Sequence, residues 1–364
     1  MSTIPGIDDI TPTWLTQCLR QAGFPAATVA HVRSERIGTG QAACCARLHI
    51  GYAAGDAAQA GGPPATLIAK FQADDPLSRS SCVAMGIYRR EVEFYRDIAP
   101  RLTMSLPRCH YLDVDAAGEF FMILMEDLAP AQPGDQLAGC DIAVARSAVL
   151  ELVGLQAPTW CDEALGQRFM EPADGFFADM HGVYTRMLPA FVERFAPYLA
   201  ADELAIIQAL GDAPSAPLFQ PVGRPFCLEH RDYRLDNVMI DARGAAPRLT
   251  VVDWQGMRTG RPLNDVALFL AGGLAPADRK AAEEGILREY HAALCAAGVR
   301  DFDFAQCWHE YRRAAFAGFG LTVVSAIAVV QTERGDRMFA TMAQRYARHA
   351  LDVDAAALLS PNGR

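Results

Sequence analysis

The hydrophobic period changes once along this chain, near Pro130, and that change restricts the folds open to it. From residue 31 to about 124 apolar and polar side chains mostly alternate, and five segments read as short strands: 32–37, 44–51, 66–71, 108–113 and 119–125. The gaps between them are small, polar or rich in Gly and Pro. The longest, 53–64, is expected to be a flexible hairpin loop because strands continue on both sides. One helix interrupts the strands, predicted over 83–99, with Met85, Tyr88, Val92, Tyr95 and Ile98 on one face and Pro100 as its stop. Beyond Pro130 the spacing turns to 3.6 residues over 141–156, 175–195, 202–210, 263–274, 276–297, 302–331 and 336–351, with one strand pair, 237–240 and 249–252, set among them. Strands first and helices after predict an α+β chain in two lobes. A small antiparallel sheet with one main helix occupies 1–126, and a larger, mostly helical lobe occupies 127–364. A short helix opened by Thr11 and Pro12 is expected to cap the sheet. At 364 residues the chain exceeds what one core sustains, so a ligand cleft between lobes is expected.

Composition narrows the partners. The formal net charge is −10, and the 33 Lys and Arg residues form no run of five, which speaks against binding nucleic acid through its phosphates. Ten cysteines, none in a C-x-x-C pair, read as reduced, mostly buried thiols. The start of the chain, MSTIPGIDDITPTWL, carries acids where a secretory or transit signal carries Lys or Arg, and a cytoplasmic location is expected. The uncharged stretch 314–332 is nearly long enough to span a bilayer. It contains polar residues and two glycines and is flanked by charge on both sides alike, so a buried core helix is expected and no membrane span.

The residues that carry chemistry lie in FCLEHRDYRLDNVMI, 226–240, and VVDWQ, 251–255. A tight loop supplies Asp232, Asn237 enters a strand five positions later, and the next strand ends in Asp253. Phosphoryl transfer needs such a set: a base near the acceptor hydroxyl, and Asn and Asp oxygens to hold Mg²⁺ on the nucleotide phosphates. Each acid taken singly also reads as a cap or turn residue. The combination is what points to phosphoryl transfer.

HRDYRLDNVMI resembles the catalytic loop of the aminoglycoside phosphotransferase and choline kinase-like family, within the protein-kinase-like fold. VVDWQ followed by GRPLNDVALFL looks like the metal-binding segment of its ecdysteroid-kinase-like branch. The resemblance implies ATP and Mg²⁺ as cofactors, Asp232 as catalytic base, and Asn237 and Asp253 as metal ligands. It implies that the loop holding Gly38, Thr39 and Gly40 covers the phosphates, although a G-x-G alone also makes a plain hairpin turn. Lys70, at the end of LIAKF, would meet the α- and β-phosphates and be oriented by Glu91. Glu93 is the alternative partner, about 200° round the helix from Glu91, so one of them alone faces the lysine. Glu126 and Leu128 fall on the hinge that would bind the adenine edge, with Ile68 and Met125 as apolar walls or plain core residues. Asp265 resembles a structural acid that holds the catalytic loop.

Three departures stand out. Arg231 follows His230 where relatives usually carry Gly, Gln156 stands where many carry His, and the glycine loop lacks its third Gly. The interval from Asp253 to Asp265 is too short for an activation loop, which disfavours a protein kinase. The expected activity is transfer of the γ-phosphate of ATP to a hydroxyl of a small molecule. The alternatives are a catalytically silent nucleotide-binding regulator of the same fold and a metal-dependent hydrolase. Arg231 or Arg234 would either neutralise charge on the transferred group or brace the loop. The net charge is compatible with a polycationic aminoglycoside acceptor, whereas Trp308, Tyr311, Phe316, Phe319 and Leu321, unless they are core packing, suit an apolar alcohol, and the branch leans toward sterol-like, terpenoid or hydroxyacyl compounds. The sequence carries no signal for oligomeric state.

Overall fold

The computed structural model describes residues 4–38, 40, 42–53, 62–171, 175–244 and 246–359. Thr39 and most of the expected 53–64 hairpin loop lie outside these. The chain divides into two compact units, one made of 1–102, 106–130 and 252–257, the other of 103–105, 131–251 and 258–364.

The first unit opens with helix α1 (Pro12–Gln21), whose N-terminus is capped by the Thr11 side chain accepting from the Trp14 N–H. Strands β1 (Val29–Ile37), β2 (Ala43–Tyr52) and β3 (Thr66–Gln72) follow, then helices α2 (Pro76–Ala84) and α3 (Ile87–Glu93), then strands β4 (Cys109–Val114) and β5 (Phe121–Glu126). The strands form one antiparallel sheet in the order β1-β2-β3-β5-β4. Leu15, Cys18 and Leu19 of α1 pack with Leu48, Leu67, Phe71, Met122 and Leu124 of the sheet. β5 lies inside the sheet and is buried on both faces, which explains its unbroken apolar run FMILM. All five strands agree with the sequence expectation.

The single helix predicted over 83–99 is divided. Gly86 adopts a left-handed conformation with φ 65°, ending α2, and Arg90 donates to the exposed carbonyl of Met85 at 2.8 Å. α3 then continues into a wider π turn over Phe94–Ile98. Of the face predicted for one helix, Tyr88 and Val92 lie buried on α3 and Tyr95 and Ile98 buried on the π turn, whereas Met85 falls between α2 and α3 and is 57% exposed.

The second unit contains β6 (Gln132–Pro133), α4 (Ile142–Glu151), α5 (Val153–Gln156), α6 (Glu163–Phe169), α7 (Phe176–Phe195), α8 (Ala201–Gly211), β7 (Cys227–Glu229), β8 (Val238–Asp241), β9 (Arg248–Val251), β10 (Arg258–Gly260), α9 (Leu263–Gly273), α10 (Pro276–Ala296), α11 (Phe304–Ala314), α12 (Ala317–Ala328) and α13 (Glu333–Asp352). β8 pairs with β6 and β9, and β7 pairs with β10. The predicted strand pair is therefore present, whereas α6 and the strands of two or three residues escaped notice because they are too short to show a period.

Two predicted helices are again broken. The segment 141–156 divides at Leu152, and a Cβ on Gly154 would come within 2.5 Å of the Met104 backbone, so the break coincides with a close backbone approach. The segment 302–331 divides between Ala314 and Ala317. A Cβ on Gly318 would lie 2.3 Å from the Tyr346 ring, so α12 meets α13 at a distance that glycine alone permits. Among the described residues no helix is long and apolar enough to cross a membrane.

Candidate functional site

The chemistry-bearing residues form two clusters, one in each unit. In the first, Lys70 lies on β3 opposite Cys45 of β2 and Ile123 of β5. Its Nζ donates to Glu91 Oε1 at 2.7 Å and to Asp253 Oδ1 at 2.8 Å. Lys70 is 6% exposed and Glu91 1% exposed. Glu91, and not Glu93, is therefore the partner of the lysine. Burial opposes the charge on Lys70, but the carboxylates of Asp253 and Glu91 outweigh it and hold the ammonium above its ordinary range.

Asp253 sits in the left-handed region with φ 68°, and the turn after it is tied at three points to α3 and the π turn that continues it. The Trp254 N–H donates to Glu91 Oε1 at 3.1 Å, the Arg90 guanidinium donates to the Gln255 carbonyl at 2.7 Å, and the Trp254 ring stacks on Phe94 with centroids 3.9 Å apart. One carboxylate oxygen of Glu91 thus orients both the lysine and the backbone beside Asp253.

Of the other predicted contacts to a nucleotide, Gly38 has φ 71° with open space where a Cβ would stand, and a Cβ on Gly40 would lie 2.8 Å from the Ala43 carbonyl. The loop accordingly turns where glycine is required. Glu126 ends β5 and is locked against Arg108 by backbone and side-chain hydrogen bonds of 2.8 and 3.2 Å. Leu128 is half-buried, as is Ile68, while Met125 is buried.

The second cluster follows β7. Asp265, fully buried at the start of α9, accepts the backbone N–H groups of His230 at 2.6 Å and Arg231 at 2.9 Å. Burial pushes its carboxyl upward, opposed by His230 and by these two donors. Arg231 has φ 69°, a left-handed position that glycine fills without strain. Its guanidinium donates to Glu171 Oε1 at 3.0 Å, an oxygen that Arg258 also reaches at 3.0 Å.

Asp232 is held at both carboxylate oxygens. Arg234 Nε donates to Oδ1 at 2.8 Å, and Asn237 Nδ2 donates to Oδ2 and to the Asp232 carbonyl, each at 2.8 Å. Arg234 in turn donates to Asp236 Oδ2 at 2.5 Å. Burial works against its charge, and the carboxylates of Asp232 and Asp236 more than restore it. The intervening residues anchor the loop: Tyr233 is buried with its hydroxyl on the Ala148 carbonyl at 2.9 Å, and the Leu235 N–H donates to Gln136 Oε1 at 3.0 Å. Both arginines considered in the sequence are thus engaged with acids of their own unit.

Asn237 commits its amide nitrogen to Asp232, and among the described residues no hydrogen bond reaches its Oδ1. Asp253 Oδ2 accepts a long contact from Gln255 Nε2 at 3.4 Å. Both are hard oxygen donors of the kind Mg²⁺ takes. Among the described residues no group of three His, Cys, Asp or Glu is arranged to hold a metal.

Some readings need correction or addition. Tyr311, Phe316 and Phe319, which the sequence leaves open as an apolar acceptor face or as core packing, are at most 1% exposed and belong to the core. Gln156 is buried and satisfied, donating to the Pro262 carbonyl at 2.7 Å and accepting from the Tyr290 hydroxyl. Glu229, next to the loop, gave no signal in the sequence. It is buried with one oxygen on Asn264 Nδ2 at 2.8 Å, and burial together with Asp265 pushes its carboxyl up to about 8.

Residues 40–299 match the model of the ecdysteroid kinase-like family. No curated protein matches the chain in sequence. Solved structures resemble it in fold. A Ralstonia eutropha protein assigned to the aminoglycoside phosphotransferases aligns over 93% of this chain and 97% of its own, with 16% identity and a TM-score of 0.53. The GDP complex of wild-type aminoglycoside 2′-phosphotransferase-IIIa aligns over 93% and 99%, with 11% identity and a TM-score of 0.53. A Plasmodium vivax ethanolamine kinase aligns over 88% and 81%, with 8% identity and a TM-score of 0.50.

Proposed function

Because the chain belongs to the ecdysteroid kinase-like family, and so among kinases that phosphorylate small molecules, we propose that it transfers the γ-phosphate of ATP to an alcohol, with Asp232 as the base. The observation that carries this reading is the division of labour in Asn237, whose amide nitrogen fixes Asp232 at 2.8 Å while its carbonyl oxygen is left for a cation. Asp232 orients the acceptor hydroxyl and takes its proton late, as the acceptor oxygen bonds to the γ-phosphorus and the bond to the departing ADP oxygen breaks. Lys70, fixed by Glu91, binds the nucleotide phosphates, and the loop of Gly38, Thr39 and Gly40 offers them backbone N–H groups. Asn237 and Asp253 are the residues that would hold Mg²⁺, and the ion would supply neutralising charge to the phosphates. Glu126 and Leu128 supply backbone groups to the adenine edge.

The test is ATP consumption with Mg²⁺ over a panel of aminoglycosides, amino alcohols, sugars and apolar alcohols, run beside Asp232→Asn. Turnover that depends on an acceptor and disappears in the variant, with nucleotide binding retained, is the expected result. Full activity in Asp232→Asn would remove the base from its role. Nucleotide binding without turnover on any acceptor would favour the silent regulator.

A further inference from the structure

A groove of about 540 Å³ in the second unit runs between the loop at Asp135–Ala138 and the first half of α13. That volume suits a small organic ligand. Two residues adjacent in sequence to its lining touch the catalytic loop. Gln136, between two lining residues, donates its backbone N–H to Asp236 Oδ1 at 3.1 Å. Met338, next to the lining residue Arg337, places its sulfur 3.7 Å from Arg234 Nη1.

The lining is rich in hydrogen-bond donors. Arg337 is exposed and has no ion pair or hydrogen bond among the described residues. Tyr198 shows 53% of its surface, and Thr341 adds a hydroxyl. Asp135 is the one acid, and its Oδ1 is occupied by the backbone N–H groups of Leu137 at 2.8 Å and Ala138 at 3.3 Å. Leu137, Ala138 and Ala340 give the groove an apolar strip. A guanidinium without a carboxylate of its own, beside neutral donors and an apolar strip, recognises a carboxylate on a hydrocarbon body.

We propose that this groove is the acceptor subsite and that it selects alcohols bearing a carboxylate, which Arg337 binds. The proposal rests on the phosphotransferase reading and narrows it, since a cationic amino alcohol would instead need Asp135.

Three probes of equal chain length separate the cases: 8-hydroxyoctanoate, octane-1,8-diol and 8-aminooctan-1-ol. Each is titrated calorimetrically into the wild type, Arg337→Gln and Arg337→Lys, with and without a non-hydrolysable ATP analogue and Mg²⁺. The wild type is expected to bind the acid about tenfold more tightly than the diol. Arg337→Lys keeps most of that preference and Arg337→Gln abolishes it, with affinity for the ATP analogue unchanged in both. Tightest binding of the amino alcohol, a preference for the acid that survives in Arg337→Gln, or no binding of any probe overturns the proposal. Failure of the ATP analogue to bind the wild type overturns the phosphotransferase reading itself, and the titrations without nucleotide keep that failure distinguishable.

Discussion

Arg234 and Asp232, two positions apart, form an ion pair with Nε 2.8 Å from Oδ1, so the proposed base is gripped by a cation on one oxygen and by an amide on the other. Charge-assisted hydrogen bonds of this kind contribute about 1.5–3 kcal/mol. Replacing Arg234 by Met is therefore expected to lower kcat by roughly ten- to a hundredfold, with little change in the KM for ATP. Steady-state kinetics against both substrates checks this, and an unchanged kcat would show that the pair only braces the loop.

The Lys70 pair is expected to matter for folding as well as activity. Lys70→Met leaves Glu91 buried without its cation, and stranding one partner of a buried ion pair costs about 3–5 kcal/mol. Urea unfolding should show a large loss in Lys70→Met. Lys70→Met with Glu91→Gln should recover part of it, because the uncompensated charge is gone.

At Arg231 the backbone conformation and the side-chain contact pull in opposite directions. A β-branched residue at φ 69° should destabilise by about 1–3 kcal/mol, so Arg231→Val is expected to melt well below the wild type. Arg231→Gly relieves the strain but loses the contact to Glu171, and should melt close to the wild type. Equal melting of Val and Gly variants would show that the loop relaxes around this position.

Glu229 sets a pH dependence. Its carboxyl is raised in the folded protein from an ordinary 4.5 to about 8, so the native state holds a proton that the unfolded chain has released. The resulting stabilisation is complete below the unfolded value and is lost as pH rises toward 8. Stability measured by denaturant should therefore fall between pH 5 and pH 8, and Glu229→Gln, which needs no proton, should flatten that fall. A slope identical to the wild type would assign the dependence to other groups.

The strands and the helical segments were legible in the sequence because periods of 2 and 3.6 persist over five or more residues. The breaks were not. Gly86, Gly154 and Gly318 each read as a tolerated glycine inside a periodic segment, and only the left-handed backbone of Gly86 and the tertiary neighbours Met104 and Tyr346 of the other two show why the chain turns or is pressed there. At the site, Asp232, Asn237 and Asp253 were recognisable from their spacing, and Glu91 was favoured over Glu93 through resemblance. The partners that hold them were hidden by sequence distance: Gln136 reaches Leu235 across 99 positions, and Glu91 reaches Trp254 across 163. The aromatic run near Tyr311 left two readings open because bulk and hydrophobicity describe a core and a binding wall equally well, and burial decides for the core.

Residues 252–257 belong with the sheet although the chain on either side of them belongs with the helices. The first unit of this protein is consequently not a contiguous stretch of sequence. A fragment ending at Pro130 would carry Lys70 and Glu91 but neither Asp253 nor the indole that stacks on Phe94, leaving the lysine one carboxylate short and an aromatic face uncovered. Cutting between the units cannot yield a complete first half, and a gene rearrangement that exchanged only the first 130 residues would join a lysine from one parent to an aspartate chosen by the other.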